Sequence, residues 1–268
     1  MSKLADVLQE AKLSPEEVDQ ILRICGELAL LVGGQALATW ALYYDVEPAG
    51  VLARAITMDA DFIGGKDVAR ALQQKLGEPW KIREGTLDDA GGQVAKVYAA
   101  IPSQGVKQID FLSGIVGLDT DRVRARATQL VLEDGSRVHV LHPLDLLESR
   151  LANLATLPSK QNAVGVAQAR LAIDVVRAFI ESHMAEGGDP RIVRQVLKRI
   201  EKMALDTRLA QAAFKYDIDV LAAVPVKRIA DARFHEEHWP RILRRLASKR
   251  EKFEQIQTRR TALRAEKK

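Results

Sequence analysis

The pattern of apolar residues changes at about residue 142, and this change limits the folds that the chain can adopt. Before that point, short apolar or alternating segments end at glycine or aspartate turns, which is typical of strands in a domain that mixes strands with helices. After it, nearly all of the chain has helical spacing. The sequence therefore predicts an α/β (α+β) domain with a small mixed sheet over 1–142, followed by a helical domain over 143–268.

Individual elements can be assigned from local signals. Ser14, followed by Pro15 and Glu17, forms a capping box that predicts the start of a helix. The remaining predictions for the first domain are a short buried strand within 28–34, strands at 55–63, 93–101 and 106–112, a helix at 66–76, and a hairpin that pairs 130–132 with 138–141.

Composition excludes several classes of protein. The chain has 268 residues, of which 47% are hydrophobic and 28% are charged, as in ordinary globular proteins. The single cysteine, Cys25, excludes an intramolecular disulfide and a cysteine-based zinc site. No apolar run approaches the roughly 20 residues that span a bilayer, and the N-terminus lacks an apolar signal core. We therefore expect a cytoplasmic protein with no membrane partner.

Charge is distributed unevenly along the chain. Residues 191–268 contain 21 Lys and Arg against 10 Asp and Glu, whereas residues 1–190 contain 19 against 26. The basic runs at 241–250 and 259–260 indicate a surface for a phosphate backbone, such as that of tRNA or another structured RNA. A solvated helix face is the alternative interpretation of such a run, and it stays open.

Three acidic residues in two predicted strands form the candidate catalytic group. Asp59 and Asp61 are two residues apart, so their side chains point to the same face of a strand. Asp110 lies between Ile109 and Phe111 in a later strand. If the two strands are neighbours, three carboxylates converge where they could bind Mg²⁺ through oxygen, with Asp110 as a base. A solvated strand face is the simpler alternative.

Two glycines form a candidate phosphate-binding site. Gly33 and Gly34 lie between a predicted strand and a predicted helix, where glycine lets the backbone approach a ligand closely. The N-terminus of the helix that follows presents free N–H groups and the positive end of the helix dipole, which suit phosphate. Taken alone, such a pair is more often an ordinary tight turn.

These motifs together resemble the polymerase-β-like nucleotidyltransferases, in which a Gly-Gly or Gly-Ser turn precedes Asp-x-Asp and a third acidic strand residue. The segments that carry the resemblance are 31–36 (LVGGQA), 57–62 (TMDADF) and 109–111 (IDF). Residues 142–154 resemble the helix after the sheet in the AbiEii-type branch, which includes toxins of bacterial toxin–antitoxin pairs. This chain has Arg150 where that branch usually has Lys, and Leu171 where it usually has Asp.

The resemblance implies a nucleotidyltransferase that uses an NTP and Mg²⁺ to modify RNA, a protein or a small molecule. It also implies a possible toxin role with an antitoxin partner, and the alternative is an inactive nucleotide- or RNA-binding module of the same fold. The implied metal-binding and catalytic residues are Asp59, Asp61 and Asp110. The residues implied to contact the nucleotide are Gly33, Gly34, Arg54, Thr57 and Arg150.

Overall fold

The computed structural model describes residues 11–48, 59–86, 92–102, 105–132 and 134–265. The chain divides into two units, 1–149 and 150–268. The dividing point lies inside the helix Pro143–Thr156, which begins in the first unit and ends in the second.

A mixed sheet of seven strands forms the centre of the first unit. The strands are β1 (Leu30–Val32), β2 (Ala60–Ile63), β3 (Lys81–Glu84), β4 (Gln93–Ile101), β5 (Gly105–Leu112), β6 (Thr128–Val131) and β7 (Arg137–Val140). Their order in space is β3-β4-β5-β2-β1-β7-β6. Strand β2 is parallel to β5, and β1 is parallel to β7, whereas the other neighbouring pairs are antiparallel. The predicted mixed sheet is thus confirmed.

Five helices accompany these strands in the described residues up to 156. They are α1 (Pro15–Cys25), α2 (Gly33–Tyr43), α3 (Lys66–Leu76), α4 (Thr120–Ala125) and α5 (Pro143–Thr156). The predicted capping box is present, because Ser14 Oγ accepts from the Glu17 backbone while the Glu17 carboxylate accepts from the Ser14 backbone. Helix α2 packs on β1 and β2, and α3 packs on β3 and β4.

One face of the central strands forms the core. Phe62 of β2 and Phe111 of β5 stack with their ring centroids 5.7 Å apart, and Ala60 and Ile109 are also buried. Because side chains alternate between the faces of a strand, the residues between these apolar positions lie on the opposite face. The core packing of β2 and β5 therefore determines which face carries their acidic residues.

The second unit is helical, as the sequence predicts. Its long helices are α6 (Ala163–Ala185), α7 (Pro190–Leu205), α8 (Thr207–Lys215) and α9 (Trp239–Ala265). Short 3₁₀ turns lie at Pro158–Lys160, Val220–Ala223 and Val226–Arg228, and a π-helical turn at Phe234–His238 leads directly into α9. Among the described residues, no helix combines the length and apolar character needed to cross a bilayer.

An ion pair joins α5 to the segment before β6. The Asp145 side chain is fully buried, and Arg126 donates to both of its carboxylate oxygens at 3.0 and 2.7 Å. The hydrogen bonds that Arg126 donates to Asp145 raise the pKa of Arg126. The contact satisfies a charge that the fold has removed from water.

We expect Arg126→Met to destabilise the protein by about 2 kcal/mol, because it leaves the buried Asp145 carboxylate without its bidentate donor. This value lies below that of a fully buried pair because the Arg126 side chain is 41% exposed. Urea unfolding would measure the effect, with the exposed Arg124→Met as the control. A loss no larger than that of the control would contradict the expectation.

Candidate active site

The two acidic strand residues lie directly opposite each other. Asp61 of β2 pairs in register with Asp110 of β5. The same row continues across the sheet, since Asp110 is opposite Lys96 of β4, and Lys96 is opposite Arg83 of β3. Residues opposite each other in neighbouring strands project to the same face. Four charged residues, two acidic and then two basic, therefore follow one another on the face opposite the core.

Asp110 is held by neighbours on β4. Gln93 Nε2 donates to Asp110 Oδ1 at 2.6 Å, and Lys96 Nζ lies 3.6 Å from the same oxygen. Lys96 also donates to Gln108 at 2.8 Å. The register of β4 against β5 shifts between Gln93 and Ala95, and a bulge of this kind can redirect a side chain. These contacts fix the position of the Asp110 carboxylate.

The pKa of Asp110 is raised above its ordinary value of 3.8. Burial is the largest cause, and the negative charge of Asp59 acts in the same direction, whereas Lys96 and the Gln93 hydrogen bond lower it. A carboxyl group with a raised pKa in a polar site is a candidate for proton transfer. The predicted role of Asp110 as a base stays a prediction.

Gly33 and Asp61 are in close contact. Val32 is opposite Asp61 in the β1–β2 ladder, so Gly33 comes at the end of β1 beside the start of β2. Gly33 has a φ of 70°, and a Cβ built on it would overlap the Asp61 carboxylate. Glycine is therefore needed at this position for its backbone conformation and for the space that Asp61 occupies. The predicted glycine turn and one predicted acid lie together.

The N-terminus of α2 offers hydrogen-bond donors. Its N-cap residue, Val32, supplies no side-chain cap, so the N–H groups of the first turn are not satisfied in that way. Gln35 in the same turn is 4% exposed, and its buried Nε2 has no hydrogen-bond partner among the described residues. An unsatisfied buried donor is costly in free energy unless a ligand or water completes it. This helix end can therefore accept an anion.

The donor set agrees in type with a hard divalent cation. Asp59 immediately precedes β2, and its negative charge contributes to the raised pKa of Asp110. Carboxylate oxygens suit Mg²⁺, and a cation would offset their repulsion. In this conformation, however, no three His, Cys, Asp or Glu side chains of the described residues form a group that could hold a metal ion. The predicted role of the three aspartates in binding Mg²⁺ stays a prediction.

The other residues predicted to contact the nucleotide are Gly34, Arg54, Thr57 and Arg150. Gly34 follows Gly33 in α2, and both Arg54 and Thr57 lie outside the described residues. Arg150 belongs to the second unit, where it is 6% exposed and donates to Gln168 Oε1 at 3.0 Å. Its predicted role towards the triphosphate stays a prediction.

Sequence reasoning missed the residues that hold Asp110. Lys96 is the one charge in the otherwise mostly apolar strand 93–101, and this isolation was a usable signal. Its side chain is partly buried beside Asp110, at 27% exposure. Gln93 and Arg83 gave no comparable signal, because their roles depend on pairing between strands. Arg83 donates to Gln93 Oε1 at 3.0 Å, which extends the hydrogen-bonded chain from Asp110 to β3.

No protein-family model and no curated protein matches the sequence. Two solved structures from Helicobacter pylori are distantly similar. JHP933 is 13% identical with a TM-score of 0.35, and the match covers 96% of this chain and 100% of that one. A protein named as a candidate nucleotidyltransferase is also 13% identical, with a TM-score of 0.36 and coverage of 91% and 99%. The AbiEii-type resemblance stays a prediction.

Proposed function

We propose that this protein is a nucleotidyltransferase that transfers a nucleotidyl group from an NTP to an acceptor hydroxyl. The observation that carries the proposal is the placement of Asp61 directly opposite Asp110, with the Asp61 carboxylate against Gly33. This arrangement puts two acidic groups beside a helix N-terminus that suits phosphate. The raised pKa of Asp110 adds a group suited to receiving a proton.

Each part of the site has a distinct task in this reaction. The start of α2, at Gly33 and Gly34, holds the phosphates of the NTP. The acceptor hydroxyl gives its proton to the Asp110 carboxylate, its oxygen bonds to the α-phosphorus, and pyrophosphate leaves. The Gln93 hydrogen bond orients Asp110 during this step. Asp59, Asp61 and Asp110 would hold Mg²⁺, which would neutralise part of the negative charge on the phosphates.

RNA is the acceptor that the charge distribution favours. The segment 191–268 has a large excess of Lys and Arg, and helix α9 continues it with exposed residues throughout 254–263. Such a surface binds a phosphate backbone without reading its sequence. A toxin role controlled by an antitoxin protein is part of the same proposal, and it rests on the resemblance of the sequence motifs.

A second candidate function is a binding module of the same fold that catalyses no reaction. Two observations favour it: Asp110 is already engaged by Gln93 and Lys96, and the described carboxylates do not form a ready metal group. Such a protein would bind nucleotide or RNA without forming a product. The two candidates differ in a single measurable property, the transfer of label from NTP to acceptor.

The test is incubation of the protein with each labelled NTP, Mg²⁺ and total cellular RNA, followed by separation of labelled RNA. We expect one NTP to label RNA, and Asp61→Asn to abolish the labelling. Asp19→Asn is the matched control, because it removes the same charge from an exposed position on α1. Calorimetry that detects NTP binding, combined with no labelled RNA, protein or aminoglycoside, would establish the binding module instead.

A further inference from the structure

A cleft in the helical unit lies outside the site described above. It has a volume of about 730 Å³ and is formed by α7, by the segment after the 3₁₀ turn Val226–Arg228, and by the π-helical turn Phe234–His238. This volume is within the range of small-molecule sites, roughly 300–1,000 Å³. All of its lining residues belong to 150–268, so it is a feature of that unit alone.

The cleft combines an apolar floor with a basic rim. Val193, Leu197, Ile229 and Phe234 supply apolar surface, and Phe234 is 7% exposed and packs on Trp239 with a centroid distance of 5.6 Å. The charged lining residues are five cations, Arg194, Lys198, Arg228, Arg233 and Arg241, against two acids, Asp231 and Glu237. The cleft is therefore suited to a ligand with an apolar body and negative charge.

The two acids are already engaged. Asp231 accepts hydrogen bonds from the backbone N–H groups of Arg233 and Phe234, at 2.9 and 3.4 Å. Glu237 lies 3.8 Å from Arg233 on the same turn of helix. Neither acid forms an ion pair with the described cations of α7 that line the cleft.

Arg194 and Lys198 are the cations without a counter-charge. Both are exposed, and within the described part of the chain neither has a hydrogen bond or an ion pair. They are four residues apart on α7, where like charges face each other and repel. A bound anion would convert this repulsion into two charge-assisted hydrogen bonds. Arg241, which contacts His238 Nδ1 at 2.9 Å, adds a third cation at the rim.

The turn beside the cleft is itself unusual. Residues Phe234–His238 are π-helical, a conformation that is rare and frequently occurs at functional sites. The turn places Phe234 in the floor and presents His238 at the rim of the same cleft. The backbone irregularity therefore coincides with the cationic rim and the apolar floor.

We propose that this cleft binds a small organic phosphate, with phosphate oxygens on Arg194 and Lys198 and the apolar body on Leu197 and Phe234. The phosphate could belong to a free nucleotide or to the phosphorylated end of an RNA strand, which share this chemistry. The volume of the cleft favours the free nucleotide. This site uses none of the residues assigned to the NTP or to proton transfer, although its cations belong to the basic segment 191–268 that we propose as the RNA-binding surface.

The test is calorimetric titration of the full-length protein with ATP in EDTA at low salt. Without Mg²⁺, the aspartates of the first unit repel a triphosphate, and the part of the binding that the cleft variant loses reports on the cleft. We expect one ATP to bind per chain, and Arg194→Gln with Lys198→Gln to weaken binding at least tenfold. The matched control is Arg191→Gln with Lys202→Gln, which removes the same charge from exposed positions of α7 outside the cleft.

Further titrations identify the source of the phosphate. Pyrophosphate and adenosine should each bind more weakly than ATP, because each lacks one half of the ligand. A 5′-phosphorylated RNA oligonucleotide that binds more tightly than ATP, and is weakened by the cleft variant only, would assign the cleft to an RNA end. The proposal is overturned if no probe binds, or if the control variant loses as much affinity as the cleft variant.

Discussion

Replacing Asp110 with asparagine should lower nucleotidyl transfer by about 10²–10⁴-fold, the contribution of a general base, and should stabilise the protein at neutral pH. Burial raises the pKa of Asp110 above 3.8, so the folded state disfavours the ionised form. The resulting cost in stability is present above the raised pKa and disappears as the pH falls below the unfolded value. Asparagine removes this cost and keeps a group that can interact with Gln93.

Urea unfolding of the wild type and Asp110→Asn at neutral pH and near pH 3 would measure this effect, beside the labelling assay. We expect the variant to be the more stable protein at neutral pH, with the difference shrinking as the pH falls through the window above 3.8. Asp19→Asn, on the exposed face of α1, should change neither property. A variant that is less stable at neutral pH, or that keeps wild-type labelling, would be evidence against this role.

The second large effect is expected for Gly33→Ala. A left-handed φ of 70° costs an ordinary residue about 1–2 kcal/mol. The new methyl group also overlaps the Asp61 carboxylate, and relief of such overpacking costs about 1–3 kcal/mol more. We therefore expect a loss of stability of about 2–5 kcal/mol, together with loss of labelling, because the methyl group displaces Asp61.

Gly77→Ala is the matched control for this substitution. Gly77 has a φ of 67°, but a Cβ built there has nothing within 4 Å. This variant therefore measures the backbone cost alone, and it should keep full activity. Thermal or urea unfolding of the two variants would separate the backbone cost from the cost of the overlap with Asp61. Equal losses of stability in both variants would show that the overlap with Asp61 adds nothing to the cost of Gly33→Ala.

Local patterns predicted much of the fold. Helix α3 and strand β4 lie at the residues that their periodicity indicates, and the Ser14 capping box starts α1 as expected. These elements have strong signals within a few residues of one another. Of the predicted strand 55–63, only β2 is described as a strand, since residues 55–58 lie outside the described residues and Asp59 precedes it.

Strand β3 (Lys81–Glu84) was not predicted, and the reason is physical. It has one apolar residue, Ile82, between charged side chains, and among the described strands it pairs only with β4, at one end of the sheet order. Charged residues are common on edge strands, where they discourage pairing with other chains. Its pairing partner, and not its own pattern, makes it a strand.

The candidate site was predicted only in part, because its geometry depends on register. The aspartates and glycines were visible as motifs, but nothing in their spacing showed that Asp61 is opposite Asp110. The pairing of Lys96 with Asp110 likewise depends on contact between distant parts of the chain. Arg150 differs from these residues. Its position in a motif predicted a contact with the triphosphate, and its observed hydrogen bond to Gln168 does not test that prediction.

The space shared by Gly33 and Asp61 has a consequence for how this protein can evolve. Because the carboxylate occupies the volume that a side chain at position 33 would need, position 33 cannot gain a side chain while Asp61 keeps this place. In homologous sequences, a larger residue at 33 should appear only together with a smaller one at 61, and such lineages should have lost the acidic pair. Correlated substitution at these two positions would therefore mark the lineages in which the proposed nucleotidyl transfer is lost.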